Sequence, residues 1–150
     1  MTRFIPLALF IVLTLGGGLL IGATNTPGAW YAGLDKPFFT PPDWLFAPVW
    51  TVLYAAIAVA GWRIWRMRAT GGAMTAWWLQ LGLNFLWPPV FFTVQAVGWA
   101  LAVILALLAA VVAFVRLAWN RDRPAALIFL PYAAWVGFAT LLTASVWWLN

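Results

Sequence analysis

Two carboxamides, Gln80 and Asn84, stand four residues apart inside an uncharged apolar run at 73–94. That spacing puts both on one helical face, which continues through Trp77, Trp87 and Phe91. A run at 44–62 carries a similar stripe of Ala47, Trp50, Tyr54, Ile57 and Gly61. A run at 125–149 carries Tyr132, Trp135, Ala139 and Thr143, with Pro131 as an expected kink. Such groups stack, donate and accept hydrogen bonds. They do not make a general acid–base or hydrolytic constellation, because no apolar run holds a carboxylate or a His. Cys, His and Glu are absent, and the acids are Asp35, Asp43 and Asp122. No Cys or His is present to ligate a metal or a haem iron, so tight axial iron ligation is not expected. No metal site and no resident cofactor are expected.

The elements that must hold these side chains follow from composition. Of 150 residues, 66% are hydrophobic and 7% are charged. Soluble domains carry about 25% charged residues, so this chain cannot cover a soluble surface, and it is too apolar for a disordered chain. A bilayer-spanning helix needs about 20 apolar residues. Uncharged runs of that order fall at about 4–23, 44–62, 73–94, 96–115 and 125–149. They are continuous rather than alternating and rich in Leu and Ala, which favours helices over a barrel. The fold class predicted is an all-α membrane protein, a five-transmembrane-helix bundle with a long structured first loop. Residues 1–150 form one domain. The first run is read as a span rather than a signal peptide: it is long for an apolar signal core and lacks a clear cleavage site. It also places Gly18 and Gly22 at a spacing that suits helix packing.

Arg3, Arg63, Arg66, Arg68, Arg116, Arg121 and Arg123 all fall on one side of a five-span chain, and Lys36 alone falls on the other. That asymmetry predicts a cytoplasmic N-terminus and an outward-facing C-terminus in a bacterial cell membrane, with delivery to an outer membrane as the alternative. The net charge of +5 is accounted for by these flanking arginines, so the lipid bilayer is the expected partner and nucleic acid is not.

The one irregular stretch, 24–43, contains Pro27, Pro37, Pro41 and Pro42 beside Trp30, Tyr31, Phe38 and Phe39. It reads as a loop packed on the bundle. At about 1.5 Å rise per residue, Asn84 and Trp135 lie ~16 Å into their spans from the arginine side. Trp50 and Tyr54 lie ~9 and ~15 Å from the other. These levels match under the loop and suggest an aromatic cavity with a few polar groups. Gln80 and Asn84 also fit plain interhelical hydrogen bonding. Trp50 and Trp135 suit packing as well as ligand contact, and Trp44, Trp147 and Trp148 read as interfacial anchors. Asp35 and Lys36 are expected to form a local pair, and Asp43 to cap the second span.

Trp30-Tyr31, Leu34, Lys36-Pro37, Pro41-Pro42, Trp44, Pro48-Val49-Trp50-Thr51 and Tyr54 resemble motifs of the TspO/MBR family, the translocator and tryptophan-rich sensory proteins. The resemblance continues through Gln80, Asn84, Trp87-Pro88-Pro89, Phe91-Phe92, Pro131-Tyr132, Trp135 and Phe138-Ala139. It implies a five-helix membrane bundle, often a homodimer, whose pocket opens under the first loop. It also implies binding of porphyrins such as protoporphyrin IX and haem, with roles in tetrapyrrole transport, stress sensing or light-dependent porphyrin breakdown. The expected ligand-binding residues are Trp30, Tyr31, Trp50, Tyr54, Gln80, Asn84, Trp87, Tyr132, Trp135 and Ala139. Lys36 is the expected contact for a propionate. In the photochemical alternative, Trp50 and Trp135 would be the electron donors. A passive carrier of small hydrophobic ligands such as sterols is a further alternative. The chain departs from the family where many relatives carry an Asn-Tyr pair and a later Arg, part of a proposed cholesterol motif. Thr143, Ala144 and Trp148 stand there, which puts sterol recognition through that segment in doubt.

Overall fold

In the computed structural model, residues 1–68 and 70–150 are described, and all regular structure among them is helical. Helix α1 runs Thr2–Thr24 and α2 is the short Ala29–Ala32. Helix α3 runs Asp43–Trp65, α4 covers 73–93, α5 is Val97–Trp119 and α6 is Arg123–Leu149. Four of these, α1, α3, α5 and α6, are long and apolar enough to cross a membrane. Five apolar runs of spanning length are present in the sequence. The remaining run does fold as a helix, α4, yet Gln80, Asn84, Pro88 and Pro89 in its interior make it more polar than the others.

The helices close into a ring in the order α1, α3, α6, α5, α4, with α4 returning to the outer half of α1. The most extensive contact is α5 on α6. Small residues allow it: Ala118, Ala125 and Ala126 are wholly buried, and Phe114 and Phe129 bring their ring centroids to 4.0 Å. Helix α1 contributes least to the core, with only Phe10 and Thr14 buried. Thr14 Oγ1 holds it to α3, donating 2.9 Å to the Tyr54 carbonyl. Thr14 sits within a π-helical turn, Val12–Gly16.

Two other devices set helix positions. The Trp77 indole fills the notch left by Gly61, where a Cβ would collide with the ring, and donates 2.9 Å to the Ile57 carbonyl. The Pro88-Pro89 pair does not end α4. Proline cannot donate to the carbonyl four residues back, and the chain continues as a π-helical turn, Pro89–Thr93, whose end is closed by Val94 N–H to the Pro89 carbonyl at 2.9 Å. The turn between α4 and α5 places Gln95 in the left-handed region at φ 60°. Pro131 is accommodated within the unbroken helix α6.

The arginine end is tied by a two-point pair. Arg63 donates to both carboxylate oxygens of Asp122, at 2.7 and 2.9 Å. These hydrogen bonds hold the Asp122 carboxyl below the ordinary carboxylate range against the opposing effect of burial.

Candidate functional site

Helices α3, α4 and α6 bring four polar side chains into one hydrogen-bonded chain in the middle of the bundle. Tyr54 O–H donates to Asn84 Oδ1, Asn84 Nδ2 donates to the Tyr132 hydroxyl, and Tyr132 O–H donates to Gln80 Oε1, each at 2.7 Å. Gln80 and Tyr132 are fully buried and Asn84 nearly so. Every link runs in the same sense, and the last donor, Gln80 Nε2, is buried with no partner. The stripes seen in the sequence converge because positions four apart on α4 (Gln80, Asn84) meet α3 on one side and α6 on the other.

Above this chain, toward the 25–42 loop, lies a cavity of about 590 Å³. Its size falls within the ~300–1,000 Å³ of small-molecule pockets. Trp50, Tyr54, Asn84, Trp87, Trp135 and Ala139 line it, and Tyr31 and Lys36 form part of its mouth. Trp50 is the hub of the aromatic wall, with its ring centroid 5.4 Å from Tyr54 and 6.5 Å, nearly perpendicular, from Trp135. Trp87 stacks on Phe91 at 4.8 Å. The indole N–H groups of Trp87 and Trp135 are buried and have no acceptor among the described residues, so these two rings offer the cavity their apolar surface.

Three expected residues stand behind the cavity rather than on its wall. Gln80 and Tyr132 form the second layer of the floor through the chain above. Trp30 turns away against Phe91, with centroids 5.7 Å apart, in a cluster that also holds Leu34, Ala100 and Val146. That cluster seats the loop on the bundle.

The loop is tied at both ends. Thr93 and Asn25 hydrogen-bond at its start. Asn150 clasps the Asp35 backbone, accepting from its N–H at 3.1 Å and donating to its carbonyl at 2.9 Å. Asp35 and Lys36 do not form the expected pair. The Lys36 ammonium sits 4.5 Å above the Tyr31 ring and reaches the Leu34 carbonyl at 3.4 Å. Asp43 makes no capping hydrogen bond; it starts the first turn of α3 and lines the mouth. Burial, and then the charge of Asp43, push the Tyr31 hydroxyl above its ordinary value, so Tyr31 is a neutral phenol at physiological pH.

Sequence reasoning missed the α1 wall. Gly18 lies so close to the Tyr54 ring that a Cβ would collide with it, whereas Gly22 has open space around it. The Gly18/Gly22 spacing was the available signal, and only Gly18 serves close packing. Leu19 and Gly22 of α1, and Ala47 and Thr51 of α3, line the cavity and are also exposed on the outside of the bundle.

The profile of the TspO/MBR family matches residues 9–149. The chain is similar to a translocator protein of Bos taurus, 39% identical over 96% of this chain and 89% of the relative. It is also similar to the human translocator protein, at 41% over 87% and 82% of the two chains. A tryptophan-rich protein TspO of Archaeoglobus fulgidus is 36% identical over 95% and 94%.

Proposed function

The chain belongs to the TspO/MBR family and is a multi-pass integral membrane protein, and on that premise we propose that it binds flat hydrophobic tetrapyrroles such as protoporphyrin IX in the cavity under the 25–42 loop. The observation that carries this reading is the 590 Å³ cavity walled by the rings of Trp50, Tyr54, Trp87 and Trp135, with Lys36 at its mouth. A tetrapyrrole has ring faces to stack on Trp50 and Trp135 and pyrrole nitrogens and carboxylates to accept hydrogen bonds. Lys36 at the mouth supplies a charge-assisted donor for a propionate. Asp43 stands at the same mouth and works against a second carboxylate there.

In this reading α4 is the fifth span. It crosses in company, its polar face turned to Tyr54 and Tyr132 and its remaining face to lipid, which spares the polar groups the cost of hydrocarbon. The arginine asymmetry orients the bundle with the N-terminus cytoplasmic and the C-terminus outside, in a bacterial cell membrane, and the protein works as a homodimer. Without an ionisable group at depth, proton-coupled transport has no carrier; sensing or passive transfer fits.

A second reading, photochemical porphyrin breakdown, is favoured by the Trp50–Trp135 contact. An excited porphyrin would take one electron from an indole, leaving a Trp radical cation. The porphyrin radical anion would pass that electron to dioxygen, forming superoxide and restoring the ring, whose breakdown would then follow from oxidation by the oxygen species so formed.

Titration of the purified protein with protoporphyrin IX, followed by Trp fluorescence in the dark and under light, separates these readings. Saturable quenching in the dark, weakened by Trp135→Phe, supports binding. A new absorbing product only under light supports the photochemical reading. No saturation in either condition refutes both.

A further inference from the structure

At the arginine end, the first turn of α1 meets the last turns of α3. The Arg3 guanidinium lies 4.8 Å over the Phe4 ring. Phe4 in turn packs on Trp62, with centroids 6.2 Å apart and planes tilted by 35°. The Arg66 guanidinium lies 4.4 Å over Trp62. Arg3, Phe4, Trp62 and Arg66 thus form one contiguous plate joining two helices. Stacking uses the face of a guanidinium and leaves its N–H edge free.

Among the described residues nothing answers those edges. Asp35 and Asp43 belong to the opposite end. Asp122 is engaged at both oxygens by Arg63, and Arg66 acts on it only through its field. Among the described residues, neither Arg3 nor Arg66 forms an ion pair or a side-chain hydrogen bond. Beneath them the Trp62 indole N–H is buried without an acceptor. The plate is rich in donors and has no acceptor.

Below the plate, Ile5, Leu9 and Val12 are exposed, between 57% and 68% each. Their i, i+4, i+7 spacing makes one apolar stripe descending α1 from Phe4, itself about half exposed. Two oriented guanidiniums at the head of an open apolar stripe match the two parts of a phospholipid. We propose that Arg3 and Arg66, mounted on the Phe4–Trp62 plate, hold the phosphate of an anionic phospholipid whose acyl chain lies along Ile5, Leu9 and Val12. A free phosphate would have no use for the stripe.

The test uses the full chain in nanodiscs of phosphatidylcholine doped with phosphatidylglycerol. Co-purifying lipid is counted by native mass spectrometry. The Arg3→Gln/Arg66→Gln protein is compared with Arg68→Gln/Arg116→Gln, which removes the same charge from the same end without touching the plate. Losing two guanidiniums that hold the phosphate directly, on top of their share of the surface potential, should lower phosphatidylglycerol retention about tenfold or more. The control pair acts through the surface potential alone and should lower retention clearly less. Equal losses in both variants would mean a diffuse positive surface and overturn the site, as would no loss in the first. Inorganic phosphate added in excess should leave the bound lipid in place; displacement by it would reassign the plate to a soluble anion and overturn the lipid proposal.

Discussion

Replacing Tyr132 with Phe removes one oxygen from the core and breaks two hydrogen bonds. Tyr132 accepts from Asn84 Nδ2 and donates to Gln80 Oε1, both at 2.7 Å. The ring still fills its place, so the loss is polar rather than steric. Gln80, whose Nε2 already lacks a partner, would then have no side-chain partner at all, and Asn84 would keep only Tyr54. On the soluble-protein scale two orphaned buried groups cost about 2–6 kcal/mol. Interhelical bonds inside membranes average about 0.6 kcal/mol, because the unfolded helices find other partners in the bilayer, which sets a floor near 1.2 kcal/mol. Tyr54→Phe breaks only one link of the chain, the bond to Asn84 Oδ1. On either scale Tyr132→Phe should therefore cost about twice what Tyr54→Phe costs. The ranking should invert for ligand affinity, since Tyr54 lies on the cavity wall and Tyr132 behind it. Equilibrium unfolding in mixed micelles titrated with dodecyl sulfate, followed by helicity, gives the stabilities; porphyrin quenching gives the affinities. The reasoning fails if Tyr54→Phe destabilises as much as Tyr132→Phe.

Ala139→Leu adds three carbons to the cavity wall, and an overpacking cost of about 1–3 kcal/mol should appear as a five- to 150-fold loss of porphyrin affinity with little change in Tm. A fall in Tm with unchanged affinity would place Ala139 in helix packing alone. Asn150→Ala removes the clasp on Asp35. Hydrogen exchange of residues 30–40 should accelerate several-fold while α5 and α6 exchange as before; uniform acceleration would show that the clasp serves the whole bundle. The Asp122 carboxyl titrates lower in the folded protein than in the unfolded chain. Its contribution is therefore full above the ordinary carboxylate range and is lost as pH falls through the depressed value. Tm measured against pH should fall on that acid limb, and Asp122→Asn should flatten it; an unchanged slope would show that the limb does not come from Asp122.

Periodicity made the central chain legible. Gln80 and Asn84 share a helical face, and so do Trp50 with Tyr54 and Tyr132 with Trp135, which was enough to bring them to one level. What periodicity cannot give is depth within that level. Tyr132 and Trp135 are three residues apart, about one turn, yet one is floor and the other wall, because the rotation of α6 is set by the alanines that pack it on α5. Trp30 was misplaced for a similar reason: proximity to the cavity in sequence says nothing of which ring the π-turn of α4 offers it, and Phe91 took it. Charge adjacency misled at Asp35-Lys36, where a neutral ring face and the Asn150 amide were better partners than each other. Hydropathy ranks α4 below the other long helices because it scores Gln80 and Asn84 as though each faced solvent alone.

On the side of Leu19, Gly22, Ala47 and Thr51 the cavity is lined by exposed residues of α1 and α3, so the bilayer stands next to this wall. A lipophilic solute beyond it is counted by its mole fraction in hydrocarbon, not by its molarity in water. A solute that partitions like a myristoyl chain, about 10⁴ M⁻¹, sits roughly tenfold in favour of the membrane at about 1 mM lipid. Doubling the lipid then nearly halves both the aqueous concentration and the mole fraction in hydrocarbon at a fixed total of solute, and an apparent Kd counted in total solute rises almost in proportion while the intrinsic affinity stays fixed. Occupancy of this cavity in a cell is thus tuned by membrane area as much as by any side chain that lines it.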